Sequence, residues 1–335
     1  MTNEFASPFV LVTDYVKANS GEDVSDALQQ IIMDNPRRVI FFPDGEYLIS
    51  KPICTPANPE NAVSLKLSNF AVIKAMDGWD SDEAMIRLGA AEPFNTIRVN
   101  GSNYYLSGGI IDGNNIAKGV SIDSGRETRV ENLSIKHTTV GLHVKWGANS
   151  GSSDADICNV NIVGPGKRDT IGVLIEGMDN TFTNMRIAYV HIGVKFIRGG
   201  NCLRNIHPLG TSNPEFYSDS IAFCDLSGGN RYDFCYSDQY ETGFYLKDGC
   251  HSICHNCFCY WYKTLESGEI GFKADGNFNS LLSNCKVTLR SDAPNANFLV
   301  GAEGGCGVIE NPFFNEELSI DKCYKNYLVG RVLHP

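Results

Sequence analysis

The chain of 335 residues is 42% hydrophobic and 20% charged, which supplies a sizeable core and excludes the composition of a disordered polypeptide. A formal net charge of -11 argues against a nucleic-acid surface, which needs clustered Lys and Arg, and favours a neutral partner over a polyanion. No apolar run reaches the roughly 18 residues needed to cross a bilayer, and Met1 to Val10 lacks the basic and apolar regions of a secretory signal, so no membrane association and a cytoplasmic location are expected.

In chain order, the first element is a helix over residues 22–35. Asp23 or Ser25 is placed to cap it, Ala27, Leu28, Ile31 and Ile32 form its apolar stripe, and Pro36 stops it. Val39-Ile40-Phe41-Phe42 then reads as a buried strand, Pro43-Asp44-Gly45 as a turn, and Tyr47-Leu48-Ile49 as a second strand.

From residue 118 onward two phrases alternate. The first is a small residue followed by apolar–x–apolar: Gly119-Val120-Ser121-Ile122, Gly141-Leu142-His143-Val144, Gly172-Val173-Leu174-Ile175, Gly193-Val194-Lys195-Phe196, Ala222-Phe223-Cys224-Asp225, Gly243-Phe244-Tyr245-Leu246 and Gly271-Phe272-Lys273-Ala274. Alternation with period two is a short strand with one face buried. The second phrase is apolar–x–Asn–apolar and places Asn132, Asn159, Asn184, Asn205, Asn256, Asn284 and Asn311 once per repeat. Between Asn205 and Asn256 one rung is missing, and Phe234 occupies its asparagine slot.

Short strands at this period cannot each bury their own apolar face, so successive repeats must stack. The expected fold is all-β: a right-handed parallel β-helix with an N-terminal capping helix, its asparagine amides bonded along a ladder. One domain over 1–335 is expected, with a cap and opening module at 1–60, coils at 61–315 and a C-terminal cap at 316–335.

The twelve cysteines of the chain include the cluster Cys250, Cys254, Cys257 and Cys259, beside His251 and His255. Cys254 and Cys257 fall in slots where other repeats carry Val130, Ile157, Leu133 and Val160, so stacked core thiols account for them better than a zinc site. No metal and no cofactor is expected, and reduced cysteines again favour the cytoplasm.

Asp26-Ala27-Leu28-Gln29 and Phe42-Pro43-Asp44-Gly45-Glu46-Tyr47-Leu48-Ile49 resemble the opening module of pectate-lyase-superfamily β-helices. Gly108-Gly109-Ile110-Ile111-Asp112-Gly113-Asn114 resembles a phrase common to polygalacturonases, phage tailspikes and inulin fructotransferases. The resemblance implies a carbohydrate-facing protein, often a homotrimer. The Asn-Thr-Asp, Asp-Asp, Gly-His-Gly and Arg-Ile-Lys set of a polygalacturonase is absent, and no strand face assembles the carboxylates and arginines of a calcium-dependent pectate lyase. Asp238-Gln239-Tyr240-Glu241-Thr242-Gly243-Phe244-Tyr245 loosely resembles inulin-fructotransferase-like proteins.

Repeat lengths alternate, and the extra residues fall in Gly164 to Asp169, Pro208 to Asp219 and Tyr262 to Glu269, which places elaborated loops on one rim. Glycosidic chemistry needs two carboxylates at a controlled separation. The densest supply is Glu215, Asp219, Asp225, Asp233, Asp238 and Glu241, among Arg231 and several tyrosines. Asp225, Asp233, Asp238 and Glu241 are therefore the candidate catalytic residues. Asp219, Arg231, Tyr217, Tyr240 and Tyr245 are the candidate substrate contacts. Asp225 occupies a slot filled elsewhere by Ile122, Val144, Ile175 and Phe196, so its carboxyl is expected to point inward, either as a general acid or as an end-of-strand acid bonded to turn amides. A strip of His143, Lys145, Glu176, Lys195, Tyr245, Lys247, Lys273 and Asp275 faces outward, and its lysines could hold an anionic sugar.

The expected activity is cleavage or rearrangement of a glycosidic bond in an oligo- or polysaccharide by carboxylate acid/base catalysis, with fructosyl transfer as one specific form. The alternatives are a non-catalytic glycan-binding fibre and a polysaccharide lyase.

Overall fold

The computed structural model describes residues 9–91, 104–146, 151–211, 213–263, 269–290 and 297–314, without the side chains of 214, 215 and 314. The expected C-terminal cap at 316–335 lies outside the described residues. Two compact units form, one from residues up to Thr138 with Leu142–Asn161, the other from Thr139–Gly141 with residues from Ile162 onward. Both are coils of right-handed parallel β-helix.

In the first unit the helix spans Ser25–Asp34, with Val24 at its N-cap. Neither expected cap serves the helix in that role: Asp23 instead accepts from the Ser25 amide and hydroxyl and from Ser50, tying the chain to the following turn. These bonds outweigh the effect of burial and hold the Asp23 carboxyl at about 2. Leu28, Ile31 and Ile32 are buried as the stripe requires, whereas Ala27 is exposed. Gln29 clamps the strand Ile53–Pro56 by donating to the Cys54 carbonyl (2.9 Å) and accepting from its amide (2.8 Å).

Stacking follows the period-two pattern. In the first unit Ile40, Leu65, Leu106, Val130 and Ile157 form one inward rank, each paired in parallel register with the next. In the second unit the strands Ile171–Ile175, Ile192–Phe196, Ile221–Asp225, Thr242–Lys247, Ile270–Asn277 and Asn297–Gly304 contain the small–apolar–x–apolar phrases. Val194, Phe223, Phe244, Phe272 and Leu299 align inside them. Phe223, Phe244 and Phe272 stack with centroids 4.5 and 5.0 Å apart, the spacing of neighbouring strands. Cys254 and Cys257 lie fully buried in the inward ranks, and Cys257 donates its thiol to the Tyr232 carbonyl at 3.6 Å.

The repeated asparagines bond along a ladder as expected, and backbone conformation adds a second reason for them. Every one sits at a left-handed corner, with φ between 46° and 55° from Asn132 to Asn311. Asparagine tolerates that conformation because its short amide bonds locally. The rank is on the outside of the coils: Asn159 donates to Asn132, Asn205 to Asn184 and Asn311 to Asn284, at 3.1, 2.9 and 3.2 Å.

The buried polar ladder is another one, four residues earlier in each coil of the second unit. Asn180 donates to Asn201 (2.9 Å), Asn201 to Asn230 (3.2 Å), and the Asn230 and Ser252 amides donate onward to Ser252 and Ser280.

Candidate functional site

Two residues past each corner asparagine the side chains of the second unit point outward, and here they are chemically unusual. His207 stacks on Tyr236 with centroids 4.2 Å apart and an 18° interplanar angle, and Tyr236 stacks on Phe258 at 4.8 Å and 20°. In register, Tyr236 lies opposite Phe258, Phe258 opposite Lys286, and Lys286 opposite Phe313, with the Lys286 ammonium 4.6 Å from the Phe313 ring. Two residues further along the same strands Asp238 lies opposite Tyr260.

The ladder spacing brings Asp238 to His207. Nε2 of His207 is 3.7 Å from Oδ2 of Asp238, adjacent but too far for a hydrogen bond. Their side chains are only 20% and 16% exposed. His207 Nε2 and Asp238 Oδ1 are both buried without a hydrogen-bond partner among the described residues. Burial and then the charge and hydrogen bond of Asp238 push the Tyr236 hydroxyl well above the usual phenol range. The result is an imidazole, a carboxylate and two phenols on one sheet face, with two polar atoms in want of a partner.

The chain leaves that face directly into the elaborated loops. These are stitched together: Arg168 pairs with Asp219 at 3.1 Å, the Asp219 amide donates to Glu241 at 2.9 Å, and the Tyr217 hydroxyl donates to Glu269 at 2.9 Å. Asp219 and Glu241 thus meet, but as partners within the loop layer. Glu215 lies outside the described side chains.

The other sequence candidates fall in separate places. Tyr217 and Tyr240 are core residues, Tyr240 donating its hydroxyl to the Val190 carbonyl at 3.0 Å. Arg231 is exposed beside the ladder residue Asn230. Tyr245 donates to Asp275 at 2.7 Å, and burial together with that carboxylate pushes its hydroxyl up to about 12. Asp233 is outward, 3.1 Å from Nδ1 of His255 and 3.7 Å from Nε of Arg204.

Asp225 points inward, as alternation requires, between Phe196 and Leu246, and is 0% exposed. Its Oδ1 accepts from the Ser227 and Gly228 amides at 3.1 and 2.8 Å and from Asn230 at 3.0 Å. Its Oδ2 accepts from Tyr232 at 3.0 Å and Ser252 at 2.6 Å. The carboxylate is the hub of the buried Asn–Ser ladder and closes the turn after its strand. Both oxygens are saturated by donors, which matches the turn-bonded form of the sequence reading.

The first unit has a charged cluster of Glu83, Arg87, Asp123 and Lys145 beside its strands Ala84–Ala91 and Lys118–Ile122. Arg87 donates to Asp123 at 2.5 Å, and Lys145 reaches both Glu83 at 2.5 Å and Asp123 at 3.1 Å. Burial acts to raise Asp123, but hydrogen bonds from Arg87 and Ser121 and the charge of Lys145 prevail and lower it. Charges of both signs are matched, so Lys145 is not open to an anionic sugar. Sequence reading missed this cluster because Glu83 and Arg87 precede the legible repeats. It missed His207 because that residue varies through Arg186, Tyr236, Phe258 and Lys286 in its rank; the available signal was its fixed offset from Asn205.

No family model and no curated protein matches the chain. Solved structures do. A tailspike protein of E. coli bacteriophage HK620 in complex with pentasaccharide is 10% identical, with TM-score 0.67 over 96% of this chain and 65% of that one. The family 28 exopolygalacturonase of Yersinia enterocolitica is 12% identical, with TM-score 0.63 over 97% and 78%. An endo-xylogalacturonan hydrolase of Aspergillus tubingensis is 15% identical, with TM-score 0.59 over 97% and 100%. The fold is that of the pectate-lyase-like right-handed β-helices. The chain spans 65% of the HK620 tailspike and 60% of the chain from Geobacillus virus E2 that it also matches. At such identities the likeness is one of fold, and sites on this fold are specific to each protein. No helix among the described residues is long and apolar enough to cross a membrane.

Proposed function

We propose that the chain is a carbohydrate-active β-helix that cleaves a glycosidic bond, with His207, Tyr236, Asp238 and Tyr260 as its reactive face. The observation that carries this reading is the pair of buried, partnerless atoms, Asp238 Oδ1 and His207 Nε2, beside each other on an outer sheet face. A sugar hydroxyl or glycosidic oxygen supplies the missing partner for both. In the cleavage step a proton carried by the Asp238–His207 pair passes to the glycosidic oxygen, the bond to the anomeric carbon breaks, and its electron pair leaves with the released sugar. Water adds to the anomeric carbon, and its proton returns to the Asp238–His207 pair. The hydrolases and the pentasaccharide-bound tailspike among the similar structures support a saccharide as the ligand class. Homotrimer formation belongs to the same proposal and is checked by sedimentation.

A non-catalytic saccharide-binding surface is the second reading. The 3.7 Å gap between His207 Nε2 and Asp238 Oδ2 favours it, since no hydrogen bond joins the two into a proton relay. A panel of fructans, difructose anhydrides, uronans and neutral glycans separates the two, with products read by mass and by unsaturated-uronate absorbance. Fructosyl transfer and lyase chemistry are told from hydrolysis by product mass. Asp238→Asn is expected to lower kcat by about 100-fold or more with an unchanged melting temperature. Full activity in that variant sinks the assignment, and glycan binding without any product supports the binding surface.

A further inference from the structure

Phe234 breaks the outer asparagine rank. It holds the same left-handed corner as its neighbours, φ +51° against +54° at Asn205 and +52° at Asn256. A bulky residue at positive φ is strained by about 1 kcal/mol or more. The substitution also removes a ladder link: Asn205 donates to Asn184 below it, while Asn256 above Phe234 turns its amide to His255 Nδ1. The ring, moreover, is 54% exposed and has no ring contact among the described residues. One exposed aromatic side chain needs no explanation on its own. Strain, a lost amide link and exposed apolar area at one position have no return within the described fold.

Around Phe234 lies a shallow hollow of about 540 Å³, lined by Thr183, Asn184, Arg204, Asn205 and Phe234. Arg204 is 67% exposed, and the carboxylate nearest it, Asp233, stands 3.7 Å from Nε. Arg204 lines the hollow, and its guanidinium carries five N–H donors in a fork that suits hydroxyl oxygens. An apolar ring face bordered by guanidinium, amide and hydroxyl groups matches a pyranose or furanose ring, apolar on its C–H face and rimmed by hydroxyls. Arg204 and Asp233 cancel locally, and the chain carries a net charge of -11, so the sugar is a neutral one.

The geometry points to the Phe234–Arg204 hollow as a second saccharide contact, a binding subsite for a ring of a neutral glycan chain, distinct from the Asp238 face. It rests on the proposed ligand class and not on the proposed chemistry. The test is affinity electrophoresis of the full chain in gels containing dextran, inulin, arabinoxylan or galactan, with a melting curve of each variant. Wild type is expected to be retarded by at least one gel. Phe234→Asn restores the rank, so it should melt at the same or a higher temperature while binding about tenfold more weakly. Phe234→Tyr should bind as wild type. Cleavage by Asp238→Asn bears on the catalytic reading alone and the retardation of Phe234→Asn is read without it, so failure of the catalytic reading leaves this result standing. Wild-type retardation of Phe234→Asn, a lower melting temperature in that variant, or no retardation of wild type by any of the four gels overturns the proposal.

Discussion

Replacing Asp225 by asparagine and by alanine tests whether its buried carboxylate organises structure or performs chemistry. Five donors lie within 3.1 Å of its two oxygens: the Ser227 and Gly228 amides, Asn230, Tyr232 and Ser252. Asparagine keeps Oδ1 for the three nitrogen donors and presents an NH2 to two hydroxyls, both of which can turn to accept. Each bond then loses its charge assistance, about 1 kcal/mol apiece. Relief from burying an ion offsets somewhat more than half of that sum of about 5 kcal/mol, which leaves a net loss of about 2 kcal/mol. Alanine strands three N–H donors in a site that is 0% exposed, at about 1–3 kcal/mol each, so a loss of 4 kcal/mol or more is expected. For a unit of this size the melting temperature falls by about 4–8 °C for asparagine and at least twice that for alanine. Circular dichroism melts, with glycan turnover measured well below the transition, provide both readouts. An Asp225→Asn protein with wild-type melting and no turnover would refute the structural reasoning and make Asp225 the general acid.

Stability in acid should report the Asp123 cluster. Its folded pKa is lowered, so its contribution is complete above the unfolded value of about 4 and is lost as pH falls through the lower folded value. Asp123→Asn should therefore flatten the acid limb of melting temperature against pH and leave the slope near neutrality unaltered; an unchanged acid limb counts against the ion network. Phe244→Ala, in the middle of the stacked Phe223–Phe244–Phe272 rank and fully buried, should cost about 3–5 kcal/mol in a denaturant titration. A loss under 1 kcal/mol would mean that neighbouring coils collapse into the space.

The parallel coils were legible in the chain itself, because period-two alternation and a once-per-coil asparagine are local patterns that only stacking can satisfy. The inward direction of Asp225 followed from the same arithmetic, as did the core placement of Cys254 and Cys257. What that arithmetic could not supply was conformation and partnership. The asparagine rank is the amide ladder it reads as, but its left-handed corners and outward position were not legible, and the buried ladder runs through Asn180, Asn201, Asn230 and Ser252. Tyr217 and Tyr240 look like sugar contacts by type and are core residues by position, since aromatic composition does not report which way a loop folds. His207 and Asp238 lie 31 residues apart in the chain and meet only because coils stack at the strand spacing. Alternation decides which face a side chain takes; register between coils decides what stands beside it, and that is set by the loop lengths and packing of the whole unit.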